Sequence, residues 1–176
     1  IRDRVSTGKV TAESPAQRTP TTETAESAGQ DASKLKATAT ETKSHKRLLT
    51  LGGSVTETVF ALGHGHRIVG VDVSSVYPPS ALMLPKVGYY RRISAEGVMS
   101  LKPDLIFASE ATGPPEVVEK LKKMGVVIET LPEAKNLQGT KARIEALADL
   151  LGEQEKGEAL LAKIDTDLAA VKKPSA

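Results

Sequence analysis

The chain has no cysteine and no tryptophan, and phenylalanine and tyrosine together make up only 3% of its 176 residues. Without thiols there can be no disulfide, no thiolate metal site and no thiol nucleophile. No apolar run approaches the roughly 20 residues that a membrane-spanning helix needs. The phosphate-cradling patterns G-x-G-x-x-G and G-x-x-x-x-G-K-[ST] are missing, and Ser54 and Ser109 lack the G-x-S-x-G setting of a nucleophile turn. A nucleotide-binding α/β enzyme is therefore the weaker alternative, and no enzymatic activity is expected. Charge of one sign is also scarce, with 24 basic residues against 22 acidic ones. The short basic run Lys120, Lys122, Lys123 has no aromatic residues between its charges, so no nucleic-acid partner is expected.

Apolar residues, 39% of the chain, are unevenly placed. Residues 1–46 are dominated by Thr, Ala, Ser, Glu and Lys with no sustained periodicity, which cannot offset the entropy of ordering. This stretch is expected to be a disordered tail or tether. Beyond it the pattern alternates between two kinds of segment. Residues 47–51 read as a strand ending at Gly52-Gly53, with Ser54 and Glu57 as a capping box for the helix that follows. Residues 67–72 read as a second strand, 104–108 as a third and 125–130 as a fourth. Helices are expected after Ser94, between Pro114 and Gly125, over 137–151 and, past Gly152, over 153–171. Strands alternating with helices imply an α/β domain with a mostly parallel sheet flanked by helices. Such sheets bind ligands outside the carboxyl ends of their strands, where Gly52-Gly53, Ser74 to Tyr77 and Glu110 to Pro115 fall.

Two of the three tyrosines stand together in Val87-Gly88-Tyr89-Tyr90-Arg91-Arg92, ahead of a short helix and Leu101-Lys102-Pro103-Asp104. A guanidinium beside a phenol stabilises the phenolate, and phenolate oxygen is a good ligand for ferric iron. Haem or another iron chelate is the ligand class this suggests. His64 and His66 lie in a turn without a nearby acidic or third histidine partner, and His45 lies in the tail. All three are read as structural or surface residues rather than metal ligands.

The run Leu49-Thr50-Leu51-Gly52-Gly53-Ser54-Val55-Thr56-Glu57, then Val69-Gly70-Val71-Asp72 with Tyr77-Pro78, then Gly88-Tyr89-Tyr90-Arg91 and Leu101-Lys102-Pro103-Asp104, resembles the haem-binding periplasmic proteins of ABC haem-uptake systems. The resemblance runs from about Arg47 to the end of the chain. It implies a Rossmann-like N-terminal lobe over 47–152 and, over 153–176, the start of the long helix that joins this lobe to a second one absent from the chain. It also implies a periplasmic location, or tethering at the outer face of the cytoplasmic membrane. Tyr89 matches the tyrosine that ligates ferric haem in these proteins, and Arg91 matches the arginine supporting it. Tyr90 replaces a more usual apolar residue and either stacks on the porphyrin or competes as ligand. Tyr77 borders the cleft in the wider superfamily, and Arg92 is placed to pair with a propionate. Glu96 matches a glutamate that docks to the membrane permease. The expected function is capture of haem and its delivery to that permease without chemical change. Cobalamin or a ferric siderophore is the alternative cargo.

Overall fold

The computed structural model describes residues 45–171, so the tail expected over 1–46 lies outside the described residues apart from His45 and Lys46. Four short strands form the sheet: β1 (Leu48–Leu51), β2 (Ile68–Val71), β3 (Leu105–Ser109) and β4 (Val127–Leu131). They lie in the order β2-β1-β3-β4 and every pairing is parallel. β1 and β3 are the central pair, aligned from Leu48 opposite Leu105 to Leu51 opposite Ala108. The helices are α1 (Gly53–Ala61), α2 (Pro79–Leu82), α3 (Ala95–Ser100), α4 (Pro115–Lys123), α5 (Leu137–Leu151) and α6 (Gln154–Ala170).

The central strands read as unbroken apolar runs because both faces of the sheet are covered. Side chains alternate across a strand, so each run is divided between two cores. Leu48, Leu105 and Phe107 face α1 and α5, packing against Val55, Val59, Leu147 and Leu151. Leu49, Leu51, Ile106 and Ala108 face the other way, against Val98 of α3 and Leu121 of α4. Each fully buried leucine in this arrangement contributes about 1.5–3 kcal/mol of transfer free energy. The expected α/β class and parallel sheet are therefore what the chain forms, as a three-layer lobe.

Local chemistry sets several boundaries. Ser94 caps α3 by accepting from Gly97 N–H at 2.9 Å, and Asn136 caps α5 in the same way from Gly139 N–H at 2.8 Å. Gly152, in the left-handed conformation at φ 72°, ends α5. The capping box expected at Ser54 does not form. α1 begins two residues earlier, its cap is Gly52 at φ 111°, and no side chain caps it. The stretch between β2 and α3 contains the short helix α2. Residues 85–88 then run beside β2, with Val71 N–H donating to Pro85 O, Val87 N–H to Val71 O and Val73 N–H to Gly88 O.

Candidate functional site

The carboxyl ends of β1, β2 and β3 open together onto one cleft of about 410 Å³, lined by Gly52 and Gly53, Ser74, Ser109 and, on its rim, Tyr89 and Tyr90. The glycine turn after β1 is pressed against the turn after β2. A Cβ on Gly53 would lie 2.9 Å from the main-chain oxygen of Ser74, so no larger residue fits without moving backbone. Asp72 holds the two turns together. Its fully buried carboxylate accepts from Gly52 N–H at 3.0 Å, from Ser74 N–H at 3.0 Å, from the Ser74 hydroxyl at 2.5 Å and from the Ser75 hydroxyl at 2.7 Å. Behind it, Thr56 Oγ1 shares hydrogen bonds of 2.7 Å with both Thr50 Oγ1 and Ser75 Oγ. Sequence reading quoted Asp72 within a motif without assigning it this work. The signal was an acidic residue at the end of an apolar strand, which burial makes expensive unless donors surround it.

Tyr89 and Tyr90 meet edge to face with ring centroids 4.7 Å apart. Tyr89 is 43% exposed, whereas Tyr90 is partly buried against the core on the α3–α4 side. The main chain here is anchored, because Gly113 N–H donates to Tyr90 O and Ile93 N–H to Gly113 O. Arg91 acts on both tyrosines and bears more directly on Tyr90. Its Nε donates to the Tyr90 hydroxyl at 3.0 Å and its guanidinium lies 5.3 Å from the centre of the Tyr90 ring. The hydrogen bond from Arg91, helped by one from Tyr89, lowers the Tyr90 phenol from its ordinary value. Tyr89 moves the other way, raised chiefly by its hydrogen bond to Tyr90, with Arg91 opposing. The pair thus holds one acidified and one less acidic phenol over the same opening. Arg91 is completed by Glu133, which lines the cleft and approaches Arg91 Nη2 at 3.7 Å.

The remaining expected residues scatter. Tyr77 is 61% exposed and, like Arg92, does not line the cleft. Glu96 is exposed in the first turn of α3. His64 serves the structure: Nε2 is 2.9 Å from Glu153 Oε1 and Nδ1 is 2.9 Å from Arg67 Nη1. A residue that sequence reading missed altogether is Arg143 of α5, which forms part of the cleft wall while only 5% exposed.

The sequence pattern of the periplasmic binding proteins matches residues 48–176. The chain belongs to the periplasmic binding protein family. Among the proteins it resembles are haem-binding and vitamin B12-binding members. A crystal structure of a periplasmic haem-binding protein from Pseudomonas aeruginosa is 38% identical, with a TM-score of 0.68 over 71% of this chain and 45% of that one. The periplasmic vitamin B12-binding protein BtuF of Vibrio cholerae is 34% identical, with a TM-score of 0.61 over 71% of this chain and 49% of that one. A vitamin B12-binding protein of V. cholerae serotype O1 is 36% identical over 113 residues, 64% of this chain and 41% of the relative. The chain thus spans less than half the length of these periplasmic binding proteins. Among its described residues no helix is long and apolar enough to cross a membrane.

Proposed function

We propose that this chain forms the haem-binding lobe of an ABC importer's substrate-binding protein, working in the periplasm or tethered at the outer face of the cytoplasmic membrane. The observation that carries this reading is the Tyr89–Tyr90–Arg91 cluster on the rim of the cleft. Phenolate oxygen is a hard anionic donor suited to ferric iron, and a guanidinium in the same cluster favours the phenolate form. Tyr89 is the proposed iron ligand because it is the more exposed of the two. Tyr90 and its Arg91 partner then contact the macrocycle and support the ligand oxygen, with Tyr77 and Arg92 approaching the cargo from outside the cleft. Residues 47–152 are the binding lobe and α6 begins the helix leading away from it. Glu96, exposed at the start of α3, is the proposed contact with the permease.

Ferric haem titrated into the purified chain, followed by its visible spectrum, tests this. The expected result is saturable binding with a high-spin tyrosinate charge-transfer band. That band should vanish in Tyr89→Phe and persist in Tyr90→Phe; the opposite pattern would move the iron to Tyr90. A second reading, cobalamin as cargo, is favoured by the two vitamin B12-binding relatives. It predicts saturable binding of cyanocobalamin that is indifferent to both tyrosine substitutions, and no saturable binding of haem.

A further inference from the structure

A guanidinium taken out of water is costly unless a carboxylate or similar anion accompanies it. Arg143 is 5% exposed and has no ion-pair partner among the described residues. Its contacts are all to neutral oxygens. Nε donates to Pro132 O at 2.9 Å, Nη2 donates to the same oxygen, and Nη1 donates to Ser54 Oγ at 2.6 Å. A guanidinium carries five N–H groups, so these three bonds leave donors without an acceptor. Both anchors hold the fork in place and neither neutralises it.

The start of α1 adds positive potential here, while Asp72 is bonded to its cap and Glu133 and Glu110 act on the guanidinium from beyond hydrogen-bond reach. Ser54 lies in the first turn of α1, a helix of nine residues whose cap is a glycine and whose first turn has no acidic residue. The Val55 and Thr56 amides donate to Gly52 O, and the first turn carries the positive end of the helix dipole. The carboxylate of Glu133 lines the same cleft but is turned toward Arg91. Burial is the largest influence on Arg143 and lowers its pKa, with Glu133 and Glu110 opposing.

We propose that Arg143, braced by Ser54 at the start of α1, is an anion-binding subsite in the cleft wall that takes an acidic oxyanion arm of the cargo, a carboxylate in the haem reading. The guanidinium fork suits two oxygens of one such group. This assignment rests on reading the cleft as the ligand site, and it makes the cleft two-ended, with the tyrosine pair for a metal or ring and Arg143 for an acid.

The test compares ferric haem with its dimethyl ester, whose carboxylates are neutral, on the wild-type chain and on Arg143→Gln. Charge-assisted hydrogen bonds of this kind correspond to about tenfold or more in affinity. Wild type should bind the acid at least about tenfold more tightly than the ester, and Arg143→Gln should bind both at the ester's level with the tyrosinate band intact. Equal wild-type affinity for acid and ester, or a preference that survives in Arg143→Gln, would overturn the subsite. Because wild type alone gives the first comparison, a poorly folding variant does not blunt the test. A second arm needs no haem. Inorganic phosphate should raise the melting temperature of wild type above that in chloride of equal ionic strength and leave Arg143→Gln unmoved; equal shifts count against the subsite. Loss of haem binding with the phosphate effect retained would sink the haem reading while sparing the subsite.

Discussion

Asp72 shows what one side chain does for this cleft. Four donors converge on its buried carboxylate, two of them backbone N–H groups of the turns that shape the floor. Hydrogen bonds to a charged group contribute roughly 1.5–3 kcal/mol each, and removing the acceptor strands donors in the interior. Asp72→Ala is therefore expected to lower unfolding stability by about 3 kcal/mol or more in urea denaturation, and to loosen the Gly52-Gly53 turn. The rim offers a spectroscopic counterpart. Tyrosine ionisation followed by ultraviolet absorbance should show one phenol titrating below the ordinary range, the Tyr90 group, and Tyr90→Phe or Arg91→Leu should abolish that early step. The tyrosine pair was legible in the sequence because aromatics are so scarce that two adjacent ones stand out. How Arg91 divides between them was not, since neighbouring residues on a 3₁₀ turn, Tyr90–Arg92, point in directions that only the fold decides.

At the scale of elements, two of the contacts that hold α6 to the lobe invite a test. Gly157 packs directly on α5, and a Cβ there would come within 2.5 Å of Ala148 Cβ, a rigid neighbour. Gly157→Ala should therefore push the helices apart, lowering the melting temperature despite alanine's better helix propensity. The second is made by His64, which bridges the turn before β2 to Glu153 at the start of α6. Burial lowers its pKa, with Arg67 and Lys156 adding to the shift and Glu153 opposing it. The folded state thus prefers neutral imidazole. Above the ordinary histidine range both states are neutral and stability is complete; as pH falls through that range the unfolded chain takes up the proton first and stability declines. Denaturation between pH 7.5 and 5.5 should show this decline in wild type and a flatter profile in His64→Gln. The bounds of α5 were legible, since Gly152 and the apolar spacing mark them. The start of α1 was not: Ser54 sits where a capping residue would, but Asp72 captures Gly52 N–H from another strand and Arg143 donates to the Ser54 hydroxyl.

Across the whole molecule the sheet is the organising layer. Phe107 at its centre is fully buried between α1 and α5, and Phe107→Ala should cost about 3–5 kcal/mol, readable as a large fall in the denaturation midpoint. The parallel sheet followed from the alternation of apolar runs with helices, and the cleft opens at the carboxyl ends of its strands, where such sheets bind ligands; the strand order came only from the structure. Arg143 escaped notice too. It lies 89 positions from Ser54, inside a helix where an isolated arginine reads as solvated surface, and only the closing of α5 over α1 buries it. The chain of hydrogen bonds from Thr50 through Thr56 and Ser75 to Asp72 has one more consequence. Its members are fully buried and each already has its partners, so the floor has nothing left to rearrange when cargo arrives. Capture should then proceed at the pace of encounter, with little ordering entropy lost from the floor. On the proposed haem reading, any adjustment to cargo then falls to the exposed tyrosine rim, which lies outside that network.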